Sequence, residues 1–243
     1  MLKFTLLCLF VIQVVSIQAK TMEEVFEDTK PIFKLYHDTL LTYETTLHTA
    51  EHDTRVTMDN YLVNAWHEVQ QDAMEFSTNI KSESMAIVEE LGMTSNMDKI
   101  QRCFTDMNIR TSQVENTIVI GADVCHTLGD QNLNVTVENV LKPVYDTLTS
   151  MHKSLEFIKT VCKDYSPEQG LICIVSIVYR RWDPQIEEME NVTESTRADL
   201  NIAANDVRNS YEMCNKIVEQ NLKEDKPILD HFRKCVQEIA NNM

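Results

Sequence analysis

The sequence contains very little glycine or proline, the two residues that form most tight turns. Only 4 glycines and 5 prolines occur in 243 residues, which predicts few and long secondary-structure elements. No stretch alternates apolar and polar residues between turn signals, as a strand would. Motifs that need glycine are also missing, since there is no Walker loop, no dinucleotide fingerprint and no G-x-S-x-G nucleophile elbow. The sequence therefore predicts an all-α protein with no recognisable cofactor site.

Basic residues are also scarce. The chain has 22 lysines and arginines against 38 aspartates and glutamates, a formal net charge of -16 at pH 7. Such a surplus of negative charge repels phosphate backbones and anionic membrane surfaces. We therefore predict no nucleic-acid partner, and we attribute most of the charge to solubility.

Long apolar runs are absent except at the start of the chain. Lys3 is followed by an apolar run from Phe4 to Ile12, and the small residue Ala19 marks a cleavage site. This pattern predicts a secretory signal peptide over residues 1–19. The run is interrupted at Gln13 and is shorter than the roughly 20 residues of a membrane span. No later stretch is apolar enough to span a membrane, so we expect a secreted, extracellular protein.

The cysteines divide the remaining chain into two predicted regions. Residues 20–95 contain none, and they are expected to form a long helical arm. Residues 96–243 are expected to form a helical domain with six: Cys103, Cys125, Cys162, Cys173, Cys214 and Cys235. An even number of cysteines in a secreted chain predicts three disulfides.

Helix geometry limits how these cysteines pair. Cys103 and Cys125 would lie about 33 Å apart on one unbroken helix, so they would not bond to each other. Cys214 and Cys235 would lie about 32 Å apart if their helix only kinks between them. The matching spans favour a clamp of two antiparallel helices bonded at both ends, with a bonded turn between them: Cys103–Cys235, Cys125–Cys214 and Cys162–Cys173. The positions of the turns also allow a hairpin set: Cys103–Cys162, Cys214–Cys235 and Cys125–Cys173. The sequence leaves both sets open.

The apolar residues follow helical spacing. They recur at steps of three and four from Phe33 to Ala50, and resume one residue out of phase from Leu62 to Leu91, which predicts long helices with a kink or break near residues 52–61. We expect the helices to form an elongated antiparallel bundle stapled by the three disulfides. The apolar residues form narrow stripes along the helices, as in coiled coils, and such stripes are compatible with a homodimer.

Helix boundaries are predicted by capping and turn residues. Gly92 is expected to end one helix as a C-cap, and Gly129-Asp130-Gln131-Asn132 is expected to form a turn. Ser166-Pro167 and Asp183-Pro184 are expected to start helices. Pro227 is expected to kink the last helix without reversing the chain. The reason is that Cys214, Asn221, Ile228 and Cys235 keep a spacing of seven residues on both sides of the proline.

Two sequons predict N-glycosylation at Asn134 and Asn191. Each is followed by Val-Thr and fits the extracellular compartment. Both asparagines are therefore expected to lie exposed.

Two short stretches partly match metal-binding motifs. His48-Thr49-Ala50-Glu51-His52 matches the H-x-x-E-H pattern of inverted zinc proteases, but no framework of such an enzyme follows. Asp130, Asn132 and Asn134 resemble the start of a calcium loop, which then lacks the required glycine and final glutamate. We expect no metal ligand, no cofactor and no catalytic residue.

Methionines and aromatic residues suggest an alternative function. They could line an adaptable apolar pocket for a lipid-like ligand, as in a small-ligand carrier. At helical spacing, however, such residues more often form an ordinary core. The residues in question are Met74, Phe76, Met85, Met93, Met97, Phe104, Met107 and Met151.

The order of the cysteines resembles the tsetse EP domain family of secreted proteins from flies and mosquitoes. The resemblance rests on the signal peptide and, over residues 100–240, on the Cys103-Phe104 pair, Cys125, the Cys162 and Cys173 pair, Cys214 and Cys235. It implies an insect extracellular protein of gut, gland or body-fluid secretions, without enzymatic activity. We therefore expect a secreted, non-enzymatic glycoprotein that binds an extracellular protein or cell-surface partner, of microbial or host origin.

Overall fold

The computed structural model describes residues 21–242, and in this range the chain is almost entirely helical, without strands. Three short helical turns also occur, at Thr94–Asn96, Val178–Trp182 (a π-helix) and Gln220–Glu224. The α-helices are α1 (Met22–Glu90), α2 (Gln101–Cys162), α3 (Pro167–Ile177), α4 (Asp183–Glu219) and α5 (Asp225–Asn241). The predicted all-α class is confirmed. The predicted signal peptide lies outside the described residues.

None of the helices within residues 21–242 combines the length and the apolar character that a membrane crossing requires.

The predicted interruption of the first helix is absent, because residues 52–61 are helical throughout α1. Its buried residues repeat at intervals of eleven rather than seven. One such series is Val25, Tyr36, Leu47, Met58, Val69 and Ile80. An 11-residue repeat corresponds to 3.67 residues per turn, close to the 3.6 of an α-helix. The apparent slip in phase therefore needs no break.

The predicted turn at residues 129–132 is also absent. These residues lie in the middle of α2, and Gly129 is buried. A Cβ atom at Gly129 would lie 2.9 Å from Leu62 Cδ2 and 3.2 Å from Tyr211 Cδ2. Gly129 thus allows helices to approach closely, a use of glycine that resembles a turn signal in sequence.

The predicted caps at Gly92 and Ser166 are confirmed. Gly92 has a φ of +66°, its N–H donates to Glu89 O, and the next N–H, of Met93, donates to Val88 O. This pair of bonds is a Schellman motif. Ser166 Oγ accepts a bond from Gln169 N at the start of α3.

The α-helix α4 begins at Asp183, as predicted, but it follows a helical turn without a break. The π-helical turn Val178–Trp182 joins α3 to α4, and its flanking residues have right-handed helical dihedrals. Similarly, Gln220–Glu224 joins α4 to α5 as a 3₁₀ turn, so the irregularity expected at Pro227 lies a few residues earlier.

The structure pairs the cysteines as in the clamp. The bonds are Cys103–Cys235, Cys125–Cys214 and Cys162–Cys173. The first two join α2 to the α4–α5 segment at both ends, so these segments run antiparallel. The hairpin set needed a chain reversal near residue 129, where α2 is unbroken.

The described chain divides into two compact units. Unit 1 contains the described residues up to Thr54 together with Thr136–Ile202, and unit 2 contains Arg55–Val135 with the residues from Ala203 onward. Each unit takes residues from both predicted regions. The reason is packing, since in unit 2 Ile80 and Ile87 of the cysteine-free region share a core with Cys103 and Phe232.

Candidate functional site

A group of large apolar side chains lies exposed on unit 2. Each is between 48% and 68% exposed to solvent, although apolar side chains of this size are usually buried. Three lie on α2 at steps of four and two lie on α4 at a step of four. We call this group the apolar face: Ile120, Val124, Leu128, Met213 and Ile217.

The Cys125–Cys214 disulfide places both halves of the apolar face on one side of the helix pair. A twofold axis perpendicular to the plane of two antiparallel helices exchanges the helices without exchanging the two faces of the pair. Residues that lie the same number of positions before or after the bonded cysteines therefore point to the same face. Val124 and Met213 each precede their cysteine by one residue. They therefore point to the same side.

The residues that follow the same cysteines point to the opposite side, toward α1. The ring of His126 lies 5.7 Å from that of Trp66 in α1, and Asn215 is buried. The side with the apolar face is thus the one turned away from α1.

The apolar face has few charges around it. Between Asn116 and Val135 the only charged residues are Asp123 and Asp130. Asp123 Oδ1 accepts a bond of 2.7 Å from Trp66 Nε1, which holds this carboxylate on the α1 side. The α2 half of the apolar face is therefore unusually uncharged for a chain of net charge -16. On α4, Glu212 is bonded to Tyr61 of α1, and Lys216 is an exposed charge next to Ile217.

Sequence reasoning missed the apolar face because it followed the buried seams. Ile120, Val124 and Leu128 recur at a regular step of four and lie outside the buried stripe of α2. That stripe includes Ile118, Ala122 and Cys125. A second apolar stripe on the same helix is the sequence signal that could have revealed the apolar face.

A groove with several basic side chains lies on unit 1. It has a volume of about 580 Å³, within the range of about 300–1,000 Å³ that is usual for small-ligand sites. We call it the basic groove. It is lined by Phe33, Lys34 and His37 from α1 and by His152, Lys153, Leu155, Glu156 and Lys159 from α2.

Aromatic packing supports one wall of the basic groove. The Phe33 ring lies 5.9 Å from that of Trp182, and the Tyr36 ring lies 5.2 Å from it. Tyr36 is buried, and its hydroxyl donates to Asp183 at the start of α4. These contacts fix the α1 turn that carries Phe33.

The two histidines of the groove contact each other. The rings of His37 and His152 lie 5.2 Å apart in an edge-on arrangement. His152 Nε2 lies 3.2 Å from Glu44 Oε1. His152 is thus held between α1 and α2.

The H-x-x-E-H residues form a contact with a tyrosine. His48 Nδ1 lies 3.2 Å from the Tyr145 hydroxyl and 3.8 Å from Glu51 Oε2, and His52 is exposed. Across residues 21–242, no three histidine, cysteine or acidic side chains are grouped closely enough to hold a metal ion. The calcium-like residues Asp130, Asn132 and Asn134 lie along the α2 helix rather than in a loop.

The methionines and phenylalanines proposed to line a pocket mostly pack together in the protein core instead. Most of them belong to one core cluster of unit 2: Phe76, Met93, Met97, Phe104 and Met107. Met151 belongs to unit 1, and Met74 and Met85 are exposed. At these positions the apolar residues serve as core or surface.

Both sequon asparagines are exposed, as the predicted glycosylation requires. Asn134 Oδ1 accepts a 2.6 Å bond from Arg55 Nη1, and Asn191 Nδ2 donates to Glu187 O. Thr193 of the second sequon is buried in α4. Attachment of a glycan at Asn191 would therefore have to precede the folding of α4.

Partly buried tyrosines hydrogen-bonded to acids have raised pKa values. Burial, followed by the Glu212 carboxylate, raises the pKa of Tyr61 to about 12. The Tyr61 hydroxyl donates to Glu212 Oε1 at 3.0 Å. Burial, followed by Glu51 and Glu44, raises the pKa of Tyr145 to about 12. In both cases the fold favours the neutral phenol.

We therefore predict that the protein loses stability above pH 10. A raised tyrosine pKa contributes stability that is complete below the unfolded value of about 10 and is lost as the pH rises through the folded value. At these partly exposed sites, Tyr61 and Tyr145 should each contribute about 1 kcal/mol after solvent screening. Urea unfolding at pH 8, 10 and 11.5 measures the loss.

Phenylalanine substitutions provide the controls for this prediction. Tyr61→Phe and Tyr145→Phe should each flatten the decline above pH 10, whereas Tyr179→Phe, at an exposed position, should leave it unchanged. An equal decline in all three variants would contradict the assignment to Tyr61 and Tyr145.

No family model matches the chain, and neither a curated protein nor a solved structure matches it.

Proposed function

We propose that this protein is a secreted, non-enzymatic glycoprotein that binds another extracellular protein through the apolar face. The observation that carries the proposal is the exposure of five large apolar side chains on one side of a disulfide-linked helix pair. Contiguous exposed apolar surface of this kind is typical of interaction sites. The three disulfides support an extracellular location, because disulfides persist in oxidising environments.

The dimensions of the apolar face favour an amphipathic helix as the partner. Its length from Ile120 to Leu128 is about 12 Å at 1.5 Å per residue. Its five partly exposed side chains offer on the order of 500 Å², less than the roughly 800 Å² per partner of a standard interface between two folded proteins. A helix with apolar residues at i, i+3, i+4 and i+7 fits between two antiparallel helices.

The scarcity of charge around the apolar face, where Lys216 is the exposed charge next to Ile217, predicts binding that depends little on salt. Electrostatic steering needs charges near the interface, and Asp123 is held on the α1 side. The affinity for a helical partner should therefore change less than twofold between low and physiological salt, because apolar burial is not screened.

The test uses peptides selected from a displayed library of 20-residue amphipathic helices. Val124→Asp with Met213→Asp should weaken their binding by at least about 100-fold, because each places a charge in the buried centre of the interface. Isothermal titration calorimetry measures the affinity. Ile172→Asp is the matched control, since Ile172 is an exposed apolar residue of unit 1 and its substitution should have no effect.

Two results would overturn the proposal. One is equal peptide binding by the double variant and the unchanged protein. The other is a dimer in sedimentation that Val124→Asp converts to a monomer, which would assign the apolar face to a second copy of the chain.

The resemblance to the tsetse EP domain family supports the same class of function. It implies a non-enzymatic secreted protein of an insect gut, gland or body fluid, and a microbial or host partner follows from that setting. The clamp formed by Cys103–Cys235 and Cys125–Cys214 provides the rigid helix pair that such a binding surface needs.

The alternative function, an extracellular carrier of a small apolar ligand, is favoured by a different observation. The basic groove combines a ligand-sized volume with the apolar side chains of Phe33 and Leu155. It lies in unit 1, while the apolar face lies in unit 2, so the two functions are separable by substitution.

A further inference from the structure

We propose that the basic groove binds an anionic amphiphile, a molecule with an apolar chain and a single carboxylate head. This inference deepens the carrier alternative and does not depend on the apolar face. The chain would lie against Phe33 and Leu155, and the head would lie among Lys34, Lys153 and Lys159.

The first argument is the arrangement of positive charge. Lys34 comes from α1, and Lys153 and Lys159 come from α2, yet all three line one groove. Within residues 21–242, no carboxylate forms an ion pair with any of the three ammonium groups. In a chain with 38 acidic and 22 basic residues, three lysines against one glutamate in the same groove favour an anionic ligand.

The second argument is the apolar part of the groove. Phe33 is partly buried, and its ring packs edge-on against the buried Trp182 at 5.9 Å. Leu155 is partly buried on the α2 side. A fixed aromatic ring beside an aliphatic side chain suits an alkyl chain, whose burial contributes about 0.8 kcal/mol per methylene group.

The third argument limits the charge of the ligand. Glu156 also lines the groove, and it lies three residues from both Lys153 and Lys159, on the neighbouring turns of α2. Its carboxylate repels a multiply charged head such as a phosphate cluster. A single carboxylate is therefore favoured over polyanions.

The test compares three probes on the full-length secreted protein by isothermal titration calorimetry below their micelle concentrations. Laurate supplies both the chain and the carboxylate, dodecanol supplies the chain alone, and inorganic phosphate supplies the charge alone. We expect one laurate per chain and at least tenfold weaker binding of the other two probes.

Opposite changes in charge test the assigned residues. Lys34→Gln and Lys153→Gln should each weaken laurate binding by up to about fivefold, as expected of partly solvated ion pairs, and the double variant by about tenfold. Glu156→Gln should strengthen binding, because it removes a repulsive charge. Lys223→Gln is the control, at an exposed lysine of unit 2.

Each contrary outcome overturns the proposal. Undetectable laurate binding would exclude the site, and equal binding of laurate and dodecanol would exclude a role for the lysines. Equal weakening by Lys34→Gln and Lys223→Gln would show only a general effect of net charge. The apolar-face variant Val124→Asp with Met213→Asp should bind laurate normally, so failure of one site can be distinguished from failure of the other.

Discussion

Replacing Cys103 and Cys235 with alanine should lower the free energy of unfolding by about 4 kcal/mol. The bond spans 132 residues, but it lies outside the Cys125–Cys214 bond. With the inner bond intact, the outer one constrains only two arms, of 22 and 21 residues, in the unfolded chain. Loop-closure entropy for a loop of about 43 residues gives the estimate. Urea unfolding without reductant measures it.

The Cys162–Cys173 bond provides the comparison. It closes a loop of only 11 residues, so replacing both cysteines with alanine should cost about 3 kcal/mol. The outer pair should contribute more to the free energy of unfolding than Cys162–Cys173, because it closes the longer loop. A larger loss for the Cys162–Cys173 variant than for the outer pair would contradict this account.

Thiol counting distinguishes the clamp from the hairpin set. In the clamp, the Cys103→Ala and Cys235→Ala variant has no more free thiols than the unchanged protein, because the replaced cysteines are partners. In the hairpin set their partners would be Cys162 and Cys214, which would become free. Two additional thiols in the denatured variant would rule out the clamp.

Replacing Gly129 with leucine should destabilise the protein by about 3 kcal/mol through overpacking. A Cβ atom there already meets Leu62 and Tyr211. Tyr211 cannot easily move away, since it is buried and its hydroxyl donates to Leu62 O at 3.4 Å. The urea midpoint measures the loss, and far-ultraviolet circular dichroism monitors the helix content.

Asp130→Leu is the matched control for this substitution. Asp130 is the next residue of α2 and is exposed, so its replacement should change stability by no more than about 0.5 kcal/mol. If residues 129–132 formed an exposed turn, both leucines would point into solvent and the two variants would be similar. Equal losses would therefore contradict a buried Gly129.

The caps show where sequence reasoning succeeds. Gly92 ends α1 in a left-handed conformation, which glycine adopts without a steric penalty. The Ser166 side chain caps α3. These are local effects, in which a side chain or its absence acts on backbone groups within a few residues. No knowledge of the tertiary structure was needed to predict them.

The two wrong predictions within the long helices share a cause. Steps of three and four suggested a seam that slips near residues 52–61, whereas α1 follows an 11-residue repeat. Gly129 suggested a turn, whereas it packs against Leu62 and Tyr211. In both cases the residue pattern depends on neighbouring helices, whose identity a single helix does not reveal.

The candidate sites depended still more on tertiary structure. The lysines of the basic groove lie more than 100 residues apart, at Lys34 and Lys153, and only the packing of α1 beside α2 brings them together. The apolar face required the Cys125–Cys214 bond, which aligns Val124 with Met213. The methionines and phenylalanines considered for a ligand pocket mostly fill the core of unit 2 or lie on the surface.

The sequence by itself determined that this protein is all-helical and where Gly92 and Ser166 cap its helices. It did so because helix formation and capping depend on spacing and side chains within a few turns. Tertiary structure decided which cysteines are bonded, why Gly129 must be small, and which apolar and basic side chains share a surface. Those features depend on contacts between residues far apart in the chain, and such contacts exist only once the helices have packed.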